Sequence, residues 1–115
     1  MNEELLSSIT GAIKNGRIKR DNYIVAFDLD ETLWGFVPLY SKKEPEPIWG
    51  NIDVVNELFK DRSLTIILYT ARSVKDFEEV TFLLKKFGVN YHSIQFGKMK
   101  FDILVDDRCI NPYKP

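Results

Sequence analysis

A chain of 115 residues with a formal net charge of −1 can build one hydrophobic core and carries no bulk field that selects nucleic acid or a membrane surface. Its longest apolar runs fall far short of the roughly 20 residues of a membrane span, and its start is polar and acidic, so neither a span nor a secretory leader is expected. One cysteine excludes an internal disulfide and fits a reducing cytoplasm. The expectation is a single cytoplasmic domain over residues 1–115.

Asn2 can cap a first helix whose apolar face is Leu5, Leu6, Ile9 and Ile13, with Lys14-Asn15-Gly16 as its end. The basic cluster Lys14, Arg17, Lys19 and Arg20 is read as a complement to that helix end and a solvated turn. Tyr23–Phe27 is an apolar run of the kind found in a buried parallel strand. Directly after it, Asp28-Leu29-Asp30-Glu31-Thr32 pushes two carboxylates from the strand's C-terminal end. Ligands of open α/β sheets bind at that end. A carboxylate pair there suits a hard cation, and one member can attack a phosphorus centre. Turn chemistry alone also favours aspartate after a strand, so the later elements decide between the two.

Residues 34–50 are rich in proline and aromatics. Trp34, Phe36, Tyr40 and Trp49 are read as packing over the sheet edge, with lining of the site mouth or of an oligomer interface as the alternatives. Ile52, Val55, Leu58 and Phe59 make the stripe of a second helix. Leu64–Tyr69 is a second strand, rich in β-branched residues and ending in the hydroxyl of Thr70. Ser73 with Asp76 opens a third helix with buried face Phe77, Val80, Leu84 and Phe87, and Gly88 ends it. Tyr91–Phe96 is a weaker third strand. Gly97-Lys98-Met99-Lys100 is a turn carrying ammonium groups. Phe101–Val105 reads as a fourth strand ending in Asp106 and Asp107. His92 is read as a surface or strand-edge residue, and Cys109 as a small buried one. Arg72 and Arg108 flank two strand ends, where either suits a substrate anion or a surface ion pair.

Strands alternating with helices argue a parallel α/β sheet. The strand ends carry, in order, a carboxylate pair, a hydroxyl, an ammonium group and a second carboxylate pair. That is the set a phosphoryl-transfer site needs.

From about Tyr23 to Pro112 the chain resembles the haloacid-dehalogenase-like (HAD) phosphohydrolases. The family's first motif matches Asp28, Asp30 and Thr32, its second Thr70, its lysine motif Lys98 or Lys100, and its acidic motif Asp106-Asp107. Phe27–Trp34 is similar to the start of magnesium-dependent, protein-tyrosine-type phosphatases of that superfamily. The tail from Phe96 is similar to small bacterial and phage hydrolases of the same superfamily. The resemblance implies a three-layer Rossmann-like core, a parallel sheet of about four strands in the order 4-1-2-3, and no cap domain. It implies phosphomonoester hydrolysis with Asp28 as nucleophile and Asp30 as general acid and base. Thr70 would hydrogen-bond a phosphoryl oxygen, and Lys98, placed by the turn at Gly97, would screen its charge. Mg²⁺ would bind near Asp28, Asp30, Asp106 and Asp107. An uncapped site would favour a bulky phosphorylated substrate or a second copy of the chain that closes it. The competing expectations are a phospho-acceptor module and a degenerate binding domain. Acceptor modules carry their acidic pair on the first strand and the acceptor aspartate on a later one; here Asp28-Leu29-Asp30 comes first and the adjacent pair Asp106-Asp107 last, which favours the enzyme.

Overall fold

The computed structural model describes residues 1–16, 20–38, 41 and 43–112. Arg17 and Lys19 of the basic cluster, and Tyr40 of the aromatic stretch, lie outside them. In chain order the elements are α1 (Glu3–Lys14), β1 (Tyr23–Phe27), α2 (Trp49–Phe59), β2 (Leu64–Tyr69), a 3-10 turn (Val74–Asp76), α3 (Phe77–Lys86) and β3 (Ser93–Gln95). The result is a small α/β fold on a three-stranded parallel sheet of order β1-β2-β3.

Side-chain chemistry sets the ends of α1 and the entry to α3, whereas α2 starts after Ile48 without a side-chain cap. Asn2 Oδ1 accepts from the Leu5 amide at 3.1 Å, while Glu3 and Glu4 in the first turn and Lys14 in the last suit the helix dipole of α1. Leu5 and Ile9 are buried, with Leu6 and Ile13 packed against the same core. Ser73 Oγ accepts from the Lys75 amide and opens the 3-10 turn that leads into α3. Gly88 stops that helix at φ +67°, a conformation an L side chain resists.

β2 is the centre of the molecule. Leu64, Ile66 and Leu68 on one face are buried to 4% exposure or less, and Val54, Val55, Val80 and Leu84 join them in one cluster. Full burial of each such side chain contributes about 1.5–3 kcal/mol. β1 pairs with β2 from Tyr23↔Leu64 to Phe27↔Leu68. It is less buried than its sequence suggests: Ile24 is 63% exposed and Ala26 is exposed as well. β3 is shorter than Tyr91–Phe96, because its start is taken over by a side chain. The His92 amide donates to Ile66 O, and His92 Nδ1 accepts from the Ile66 amide, each at 2.9 Å. The ring also stacks 4.6 Å from Phe59.

Three expectations are corrected. Phe101–Val105 forms no strand, and Ile103 and Val105 are 82% and 93% exposed. An apolar alternating run becomes a strand only when an edge pairs with it. Here it pairs with no strand, so the 4-1-2-3 order is seen only in its 1-2-3 part. Cys109, in the same unpacked segment, is exposed rather than buried. In α3 the buried residues are Val80, Leu83 and Leu84. Phe77, at the junction with the 3-10 turn, is half exposed and tilts against Phe96.

Trp34 is wholly buried, its ring edge-on to Phe87 at 6.0 Å. The chain beyond it leaves and returns through a neck in which the Gly35 amide donates to Glu46 O and the Ile48 amide to Leu33 O. Lys86 pairs with Glu44 at 2.7 Å and ties this excursion to α3. Trp34 therefore packs as core, whereas Phe36 and Trp49 remain more than half exposed.

Candidate active site

The carboxyl ends of β1 and β2 carry three pieces of backbone that hold one another. The first is the turn 28–34. Leu29 and Leu33 are wholly buried and pin it to the core. The Leu29 carbonyl accepts from the amides of Thr32, Leu33 and Trp34 at 2.8–3.3 Å. Glu31 sits at φ +66°, in the left-handed region that costs a non-glycine residue about 1 kcal/mol or more. Its amide donates to Trp34 O at 2.7 Å and its Oε1 accepts from the Phe36 amide, so the turn is over-determined by hydrogen bonds.

The second and third pieces are the loop after β2 and the lysine turn. Thr70 is wholly buried; its amide donates to Gln95 O, and its Oγ accepts from the Arg72 amide at 3.1 Å. Its hydroxyl thus shapes the loop from inside. The Lys98 amide donates to Thr70 O and the Gly97 amide to Arg72 O, each at 2.9 Å. Gly97 stands at φ +81°, where glycine turns the chain back at no steric cost.

Two side-chain pairs result. Asp28 Oδ1 accepts from the Leu29 amide at 2.9 Å, and its Oδ2 faces Lys98 Nζ at 3.6 Å. Burial raises the Asp28 carboxyl above its usual 3.8, the Lys98 charge opposes that rise, and the charge of Asp30 adds to it. Lys98 is held over the rings of Tyr69 and Phe101, 5.4 and 5.8 Å from their centroids. Lys100 is exposed.

The second pair was not foreseen from the sequence. Arg72 grips Asp30 with Nε on Oδ2 at 2.9 Å and Nη2 on Oδ1 at 2.8 Å. Trp34 Nε1 adds a third donor to Oδ1 at 3.1 Å. Both partners of the ion pair are mostly buried, and the carboxylate raises the Arg72 guanidinium further above its usual value. With three N–H groups on its two oxygens, Asp30 is an acceptor only.

Asp28, Thr32, Tyr69, Lys98, Asp106 and Asp107 all line one cleft of about 780 Å³ along the free edge of β1. The acidic pair shares the cleft with Asp28 without converging on it. Asp106 Oδ1 instead accepts from the Arg108 amide in a local turn. Among the described residues, no three His, Cys, Asp or Glu side chains stand close enough to hold a metal ion together. The hard oxygens present suit Mg²⁺ by type, but their arrangement here forms no cage.

No protein-family model matches the chain, and no curated protein matches it at a significant score. Among solved structures, the chain is similar to a structural-genomics target from Vibrio cholerae. The identity is 24%, with a TM-score of 0.61, over 77% of this chain and 83% of the other. That likeness is one of fold.

Proposed function

We propose that this protein hydrolyses phosphomonoesters: Asp28 attacks phosphorus to form an aspartyl-phosphate while the ester P–O bond breaks and the alcohol leaves with a proton from Asp30. The observation that carries the reading is the Asp28–Lys98 pair at the carboxyl end of a parallel strand, 3.6 Å apart and lining an open cleft. An ionised carboxylate needs no base to act as nucleophile, and an adjacent ammonium offsets the charge of an incoming phosphate. Water must then attack the phosphoenzyme, with Asp30 as the base proposed to take its proton, releasing inorganic phosphate and the Asp28 carboxylate. To act, Asp30 must shed at least one of the donors from Arg72 and Trp34. A phosphoryl oxygen competing for the Arg72 guanidinium is the natural way to release it. Mg²⁺ is the cofactor this reading expects: Asp28 with Asp106 or Asp107 would hold it once the acidic pair is brought onto Asp28, and the ion would neutralise charge between carboxylate and phosphate.

One observation favours a second reading. An acid/base residue gripped by Arg72 makes breakdown of a phosphoenzyme slow, as suits a phospho-acceptor module. A panel of phosphomonoesters with and without Mg²⁺, run on the wild type and Asp28→Asn, tests both. The enzyme reading expects multiple turnovers that vanish in Asp28→Asn. The acceptor reading expects one equivalent of label per chain and no steady state. Turnover retained in Asp28→Asn removes both.

A further inference from the structure

Asn51 is a buried amide on the apolar side of α2, 2% exposed, where helix propensity gives it no reason to be. Both ends of its side chain are used. Nδ2 donates to the Thr32 carbonyl at 2.8 Å, and Oδ1 accepts from Asn2 Nδ2 at 2.8 Å. Asn2 is the cap of α1, and its own amide donates to Gly50 O at 2.9 Å. The start of α1, the first turn of α2 and the turn 28–34 are thus joined through one amide.

The Thr32 carbonyl is a sensitive point to hold. Thr32 follows Glu31, whose positive φ must be maintained by its surroundings, and its own amide bonds Leu29 O. A shift at Thr32 is passed back through Leu29 to the oxygen of Asp28 that accepts from the Leu29 amide. We infer that Asn51 is a positioning residue: by fixing the Thr32 carbonyl it sets where Asp28 points relative to Lys98, and it couples that aim to the seating of α1. This rests on the phosphomonoester reading for its kinetic consequence, but not for its structural one.

Asn51→Asp is the informative variant. It keeps the volume and the acceptor for Asn2, yet it removes the donor and sets two oxygens against each other. Two readouts are taken on the folded protein. One is hydrogen exchange of the Thr32, Leu33 and Trp34 amides against those of β1 and β2. The other is kcat and KM on a phosphomonoester that the wild type turns over. The expected result is exchange at least tenfold faster in the turn alone. With it, kcat should fall by about 10–100-fold with KM within twofold, the scale of a misplaced reacting group. Asn2→Ala removes the far leg together with the cap of α1, leaves the Asn51–Thr32 bond in place, and should give a smaller change of the same kind in the turn. Asn56→Ala is the control. It lies on the same helix, binds Gly88 O and the Asn90 amide away from the site, and should lower Tm without touching kcat. Turn protection and kcat both unchanged in Asn51→Asp would overturn the inference, as would exchange faster everywhere alike. If the wild type turns over no phosphomonoester, the functional reading fails, and the exchange pattern alone decides the positioning claim.

Discussion

Two stretches of this chain carry carboxylates to the same cleft and are built in opposite ways. In the turn 28–34 each polar group is held: Asp28 by the Leu29 amide and Lys98, Asp30 by Arg72 and Trp34, and Thr32 by Asn51. Leu29, Leu33 and Trp34 fix its other side in the core. In residues 101–112 nearly every residue is exposed, apolar ones included, and Asp106 is held by a bond two residues away. The difference teaches that a carboxylate motif alone does not make a site. Preorganisation comes from the apolar residues between the carboxylates and the donors arriving from other elements.

The largest effect should come from the core that backs the ordered stretch. Ile66→Ala or Leu68→Ala should destabilise by about 2–5 kcal/mol, whereas Val105→Ala should stay within about 0.5 kcal/mol. Both are read from denaturant midpoints. A Val105→Ala loss as large as that of Leu68→Ala would show that the segment packs as a strand.

Next comes the lysine turn where the two stretches meet. Lys98→Ala should lower kcat/KM by on the order of 10²-fold, the loss seen when one charge-stabilising donor is removed. Lys100→Ala, being exposed, should change it far less. Parallel kinetics on the two variants check the assignment, and a reversed order would move the role to Lys100.

The Arg72–Asp30 grip should show as coupling. A double-mutant cycle with Arg72→Ala and Asp30→Asn should return an interaction of about 1.5–3 kcal/mol, the range for hydrogen bonds to charged groups. Additive losses would mean that the bidentate geometry contributes little in solution.

The smallest effect concerns charge at Asp28. Its carboxyl is raised above 3.8 chiefly by burial, so the folded state binds more protons than the unfolded state between those two values. This contribution is favourable to folding below 3.8 and is lost as pH rises through the raised value. Asp28→Asn should therefore be slightly more stable than the wild type at pH 7, with the gap closing toward pH 3.8 in thermal melts. A variant less stable at pH 7 would say that the Lys98 pairing outweighs burial.

Much of this was legible along the chain because it depends on local chemistry. The Asn2 cap, the stripe of α1, the β-branched run of β2, the stop at Gly88 and the turn at Gly97 each follow from neighbouring residues. What was not legible depends on partners far away. Phe101–Val105 has the composition of a strand, and only an edge could make it one. The Arg72–Asp30 pair spans 42 positions with no periodic signal, although a guanidinium just after a strand-end hydroxyl was a hint. Asn51 left a fainter trace: an amide beside Ile52, Val54 and Val55 on a buried helix face. His92 stood rightly at a strand edge, but nothing local says that its ring replaces a backbone carbonyl of the ladder.

The central claim is that Asp28, aimed by its turn and faced by Lys98, receives the phosphoryl group. The direct measurement is acid quenching during turnover of a reactive phosphomonoester, followed by peptide mass spectrometry. An added phosphoryl group is expected on the peptide carrying Asp28, labile to hydroxylamine as an acyl-phosphate is, and absent in Asp28→Asn. Label on Asp106, Asp107 or any hydroxyl, or steady turnover with no label trapped in Asp30→Asn, would contradict the claim.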